Sequence, residues 1–222
     1  SEHAFMWTLA GGMRDLGTLG GELSSAHAIN ARDEVAGMSW AAPGYKPTKW
    51  VGGVAQQLDT LDGFAYDINN SGHVVGSRVV DGRYHATLWQ DGVAIDLGAG
   101  PGSEAHRIND LDVIVGTTPA GVFVWSNPEE GAVMLPSLGG ENRVASLVDD
   151  CMAGNFIAGW SHAAEEGAPA RAVRWEVQVT PLTDDGTRPD GLSVARDESP
   201  LAKRLRPVLG SSAVAPIWLQ GG

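Results

Sequence analysis

The chain has 222 residues, 43% of them apolar, with 30 glycines, 12 prolines and a formal charge of −12 at neutral pH. That length and apolar content allow one substantial core and favour a single all-β domain over two small ones. The acidic excess repels phosphate backbones and anionic lipid surfaces, so nucleic acid is not an expected partner. No run approaches the roughly 18 apolar residues of a membrane span.

The chain opens Ser1-Glu2-His3 without a basic and apolar leader, and the expectation is that a secretory signal is absent or already removed. A first short strand, His3-Ala4-Phe5-Met6-Trp7, is followed by Asp15-Leu16-Gly17. The run Ala28-Ile29-Asn30 to Val35-Ala36-Gly37 then returns as Asp67-Ile68-Asn69 to Val74-Val75-Gly76 and as Arg107-Ile108-Asn109 to Ile114-Val115-Gly116. Asn30, Asn69, Asn109 and Asp149 lie 39, 40 and 40 residues apart, and a looser copy runs from Val194 through Asp197 to Gly210. Tryptophan keeps the same beat at Trp7, Trp50, Trp89, Trp125, Trp175 and Trp218, and the series reads as core. A fixed period of about 40 residues is the signature of a repeat architecture. The units are 22–62, 63–102, 103–141, 142–186 and 187–222, the last completed by 1–21, in one domain spanning 1–222.

The second unit shows four β-like runs: Phe64 to Asn69, His73 to Val79, Tyr84 to Gln90 and Val93 to Leu97. Asn69-Asn70-Ser71-Gly72, Asp81-Gly82 and Asp91-Gly92 separate them, and each supplies residues that tolerate positive φ. Three hairpins in a row make a four-stranded antiparallel meander. Val75 and Leu88 suit one face and Val74 and Trp89 the other, so the meander needs a neighbour on both sides. Five such sheets around an axis form a five-bladed β-propeller, which also protects strand edges. A linear β-solenoid competes, but its rungs repeat at about 20 to 30 residues. The N- and C-terminal strands are expected to share the last blade and close the ring, with one Trp-type strand surplus.

The His3-to-Trp7 segment, Met13 to Gly21, and the Ile-Asn to Val-Val-Gly runs resemble the HAF repeat, a probable extracellular repeat. The resemblance is strong through residue 160 and degenerate beyond. His85-Ala86-Thr87-Leu88-Trp89 keeps the histidine, whereas 121–125 and 172–175 keep little but the tryptophan. What the resemblance implies is a scaffold and an extracellular setting, with no reaction attached.

If the strand ending in Ile-Asn is innermost, its variable positions lie nearest the channel. His27, Tyr66, His106 and Ser146 stand three residues before the repeat's asparagine position, and Ala28, Asp67, Arg107 and Leu147 two before it. Ala26, Ala65, Ala105 and Ala145 stay small at the preceding position, as expected where sheets converge. A ligand site would therefore use His27, Tyr66, Asp67, Glu104, His106 and Arg107 at the channel mouth; ordinary packing between blades is the competing reading. The expected partner is a small molecule, glycan or protein, bound by a monomer without a cofactor. The alternative is a small-molecule hydrolase, lyase or cyclase, with His27 or His106 as acid or base beside Tyr66 or a carboxylate.

A metal shared by His27 and His106 is disfavoured, because the two belong to different units and need a third ligand. His3 and His85, each four residues before a tryptophan, read as structural, and the asparagines read as turn formers. Cys151, the only cysteine, excludes an internal disulfide and reads as a buried small hydrophobe. The segments 161–171 and 183–206 break the period and are read as loops, the second a mixed-charge candidate for a lid.

Overall fold

The computed structural model describes residues 2–136 and, after them, strands at 139–148, 155–163 and 171–177. The fifth unit, Asp149, Cys151, Trp218 and the 183–206 segment lie outside the described residues.

Every described element is a β-strand. An N-terminal hairpin pairs β1 (Phe5–Thr8) with β2 (Gly12–Asp15). The first four-stranded sheet contains β3 (Ser24–Ile29), β4 (Val35–Ala41), β5 (Gly44–Val51) and β6 (Val54–Gln57). The second contains β7 (Gly63–Ile68), β8 (Val74–Val80), β9 (Arg83–Gln90) and β10 (Val93–Asp96), within a residue or so of the four runs read from sequence. The third contains β11 (Glu104–Ile108), β12 (Ile114–Thr118), β13 (Gly121–Trp125) and β14 (Val133–Met134). A three-stranded sheet follows, formed by β15 (Gly139–Val148), β16 (Asn155–Ala163) and β17 (Arg171–Val177). Strands are hydrogen-bonded in chain order and antiparallel in each sheet, as a run of hairpins requires. Asp81 and Gly82 have φ of 49° and 75°, and Asp91 and Gly92 have 51° and 78°. Both central residues are therefore left-handed, the turn whose twist matches a two-residue hairpin.

The sheets stack face to face. Because side chains alternate along a strand, Val74 and Trp89 pack with Ala36 of the preceding sheet, while Val75 and Leu88 pack with Ile114, Phe123 and Trp125 of the following one. Ala4, Met6 and Leu16 of the N-terminal segment cover Val35 and Trp50 in the same way. Trp50, Trp89 and Trp125 are thus buried against the layer before their own. Trp7 departs from the expectation that the whole series is core: it is 60% exposed, and Phe5 and Met13 on the same face are also exposed. It occupies the equivalent register, but no described strand lies against that face.

Each first strand carries a β-bulge. Ala65 pairs with Gly76 and Asp67 with Val75, leaving Tyr66 as the extra residue; His27 and His106 are its counterparts. In β15 the shift falls between Val144 and Ser146, opposite Gly159 and Ala158, so the counterpart is Ala145 and not the expected Ser146. Counting back from Asp149 fails by one residue because strand pairing, not sequence spacing, fixes the register. Opposite the bulges, a Cβ on Gly37, Gly76 or Gly116 would run into the carbonyl oxygen of Ser25, Phe64 or Glu104 respectively. The repeated glycine is therefore a clearance requirement.

The repeated asparagines do more than form turns. Asn69 Oδ1 accepts from the amides of Ser71 and His73, as Asn30 Oδ1 does from Arg32 and Glu34 and Asn109 Oδ1 from Leu111 and Val113. The other end of the amide crosses to the next unit. Asn30 Nδ2 donates to Asn69 O at 2.9 Å, and Asn69 Nδ2 donates to Asn109 O at 3.0 Å. All three side chains are buried. Asn69→Ala is expected to cost about 3 kcal/mol, since it strands buried amide and carbonyl groups. Asn69→Asp should do no better near neutral pH, because a carboxylate would face the Asn109 carbonyl and Asp112 Oδ1, which Asn69 now contacts at 2.8 Å. Urea unfolding of both variants checks this, and full stability in Asn69→Asp would rule out the donor role.

Candidate functional site at the converging first strands

The bulges bring three of the proposed residues into one row. The Tyr66 ring stacks on His27 of the first sheet at a centroid distance of 5.9 Å and meets His106 of the third at 5.7 Å. A bulge re-aims the extra side chain, and the repeat places it at the same point of each sheet. His27 Nδ1 lies 2.7 Å from the Ala65 carbonyl oxygen, so that nitrogen carries a proton and donates. His106 Nε2 shares a 2.8 Å hydrogen bond with Thr117 Oγ1 on the paired strand.

Burial and the neighbouring Glu104 carboxylate push the Tyr66 phenol up to about 12. Burial also holds the His106 imidazole below the usual histidine range, with Glu104 opposing the shift and Arg107 reinforcing it. Tyr66 is therefore a neutral hydroxyl at physiological pH, and His106 favours its uncharged form.

The remaining proposed residues have other tasks. Asp67 accepts the Ile68 amide on Oδ1 at 3.0 Å and the Ile108 amide on Oδ2 at 3.1 Å, tying the second sheet to the third. Arg107 is exposed, and its guanidinium donates to the His106 carbonyl at 2.8 Å. Glu104 is half-buried at the start of β11 and acts electrostatically on both Tyr66 and His106.

Among the described residues no group of three His, Cys, Asp or Glu side chains is placed to hold a metal. The histidine–aspartate pairs lie elsewhere. His3 Nδ1 meets Asp15 Oδ2 at 2.8 Å, and His85 Nδ1 meets Asp96 Oδ2 at 3.1 Å. Asp15 and Asp96 also accept the amides of Gly17 and Gly98, locking the last two strands of a meander to the turn that follows. The Gly17 amide and then His3 hold the Asp15 carboxyl below its usual range. These are the structural roles read from the repeated histidine.

Sequence reasoning missed a second set of rings joined to the first. Trp40 meets Tyr45 edge-on at 5.0 Å, Tyr45 meets Phe64 at 6.0 Å, and Phe64 meets both Tyr66 at 6.2 Å and Tyr84 at 5.9 Å. A signal was present in the sequence. Tyr45 and Tyr84 each stand five residues before a repeat tryptophan, and the chain's three tyrosines all belong to this strip.

The chain matches no family model, and no curated protein matches it either. Among the described residues no helix is long and apolar enough to cross a membrane.

The low affinity of folded His106 for a proton has a consequence for stability. As pH falls below about 6.5, where an unfolded histidine protonates, the unfolded chain takes up a proton that folded His106 resists. Unfolding is thereby favoured, and His106 destabilises the fold increasingly until its own lower pKa is passed. His106→Gln should flatten the loss of stability between about pH 7 and 5, measured by urea melts at each pH. An unchanged slope would show that His106 titrates as in the unfolded chain.

Proposed function

We propose that this chain is a binding module of the HAF-repeat kind. In this reading its four-stranded sheets are blades of a five-bladed propeller over residues 1–222, and its ligand lies at the converging first strands. The observation that carries the binding reading is divergence at equivalent points. The bulge position holds His27, Tyr66 and His106 in successive sheets, while the facing glycine and the interlocking asparagine stay constant. A scaffold needs the constant positions; varied polar chemistry at the bulge serves something else. The ligand class in this reading is a small molecule, glycan or protein segment contacting His27, Tyr66, Glu104 and His106, with Arg107 at the rim and Asp67 supporting from behind.

Ring closure is supported by the bare face of the N-terminal hairpin. In three other layers the residue equivalent to Trp7 is buried against a preceding sheet, and a closed ring supplies that sheet. Trp7→Ala should then cost about 3–5 kcal/mol, as for a core tryptophan. A loss under about 1 kcal/mol in urea melts would mean an open stack.

One arrangement favours a second reading, an enzyme of the hydrolase, lyase or cyclase type. Tyr66, Glu104 and His106 form a titratable cluster in which burial shifts two of the members. A thermal-shift screen of small polar compounds, repeated with Tyr66→Ala and His106→Gln, separates the readings. Binding lost in Tyr66→Ala with no turnover of any hit supports the module. Turnover abolished in His106→Gln with binding intact supports the enzyme. Hits unaffected by either variant would place the site elsewhere.

A further inference from the structure

We propose that the ligand is an uncharged oligosaccharide lying along the aromatic strip of Trp40, Tyr45, Phe64 and Tyr84, with its end at Tyr66 and Glu104. This deepens the binding reading and rests on it. The first support is position. Tyr45 and Tyr84 are equivalent residues beside the hairpins that join the second and third strands of their sheets, and Phe64 opens β7 at the same end. The strip is not a repeat feature. Phe64 corresponds to Ser25 in the first sheet and Glu104 in the third, by their pairing with Ser77, Met38 and Thr117. Rings gathered at positions that the scaffold leaves free are additions to it.

The second support is exposure. Trp40, Tyr45 and Phe64 are half-buried and Tyr84 is 38% exposed, and none of the four belongs to the apolar clusters formed between sheets by the described residues. Tyrosine and tryptophan present large rigid apolar faces with a polar tip at low entropic cost, which suits a partner apolar on its faces and polar around its rim. A pyranose ring is such a partner.

The third support is the polarity at the end of the strip. Neighbouring rings lie at centroid distances of 5.0–6.2 Å and form one continuous aromatic strip. Aromatic grooves also take proline-rich peptides. Such a peptide presents mainly carbonyl acceptors, whereas the Glu104 carboxylate at the end of this strip is itself an acceptor and needs a donor. Sugar hydroxyls both donate, as the carboxylate requires, and accept, as the neutral Tyr66 hydroxyl requires. The net charge of −12 disfavours anionic glycans.

Isothermal titration of the full chain with cellohexaose, chitohexaose and mannohexaose tests the proposal, alongside a heparin hexasaccharide, a proline decamer and tetramethylammonium. At least one neutral hexasaccharide should bind. Its affinity should fall about fivefold to tenfold in Tyr84→Ala, the loss of one stacked ring, and persist in Tyr84→Phe, which keeps the ring. Thermal melts establish that the variants are folded. Binding unaffected by Tyr45→Ala and Tyr84→Ala would overturn the strip. Failure of all three neutral sugars would overturn the ligand class. In that case, decamer or tetramethylammonium binding that is lost in Tyr66→Ala would leave the site at the first strands standing, whereas binding that survives Tyr66→Ala would remove that as well.

Discussion

The buried amide of each repeat asparagine is the interaction on which the described architecture depends. A carboxamide offers an acceptor and a donor group about 2 Å apart. At Asn30 and Asn69 the two are divided between different units: the oxygen closes its own loop, and the nitrogen reaches the backbone carbonyl of the next unit's asparagine. One residue per repeat thereby sets a turn and spaces one sheet from the next. Apolar stacking supplies most of the stabilisation between sheets, yet it is non-directional. The amide relay adds direction, and Asp67, bridging to the Ile108 amide, adds a second inter-sheet tie beside it.

The bulge one turn away from that relay gives the fold a place for chemistry. An extra residue in the first strand leaves one side chain per sheet outside the ladder, and the glycine opposite lets the bulged strand approach closely. The two positions differ in their freedom to vary: the glycine is fixed by clearance, whereas the bulge residue has no residue opposite it in the strand pairing. His27, Tyr66 and His106 can therefore differ chemically while the backbone around them is the same. Their rings meet because the sheets converge along these strands. The outer strands splay, and there Val54, Val93 and Met134 are exposed.

Most of the scaffold was legible in the sequence because repetition averages out local ambiguity. The four strands of the second unit, the Asp-Gly turns and the opposite faces of Val74 and Val75 all follow from period-2 alternation and turn chemistry seen several times over. The candidate site was legible only as a column of variable positions, of which His27, Tyr66 and His106 share the bulge position. The column slipped at the fourth unit, where pairing selects Ala145, because a bulge is a register event that leaves no mark on spacing. His106 and Arg107 are adjacent, and strict alternation would send them to opposite faces. His106 is the bulge residue, while Arg107 resumes the ladder opposite Val115. Trp40, Tyr45, Phe64 and Tyr84 escaped because they lie outside that column. Their meaning lies in contacts between hairpins about 20 to 40 residues apart, which periodicity does not report.

The placement of the strip bears on the symmetry of any ligand. A repeat ring whose equivalent positions were all alike would present the same group from every blade and favour a ligand centred on the axis. Here the first and second sheets contribute tyrosine at the equivalent hairpin position, while the third has Ala120 there and an acid, Glu104, in the place of Phe64. The apolar surface thus runs across two sheets and stops at a carboxylate on the third. A ligand matching that pattern would extend across neighbouring sheets, with a polar end directed at Glu104 and His106. Directionality of this kind separates an elongated partner from a compact one, and it follows from which repeats diverged, independently of whether the sheets close into a ring.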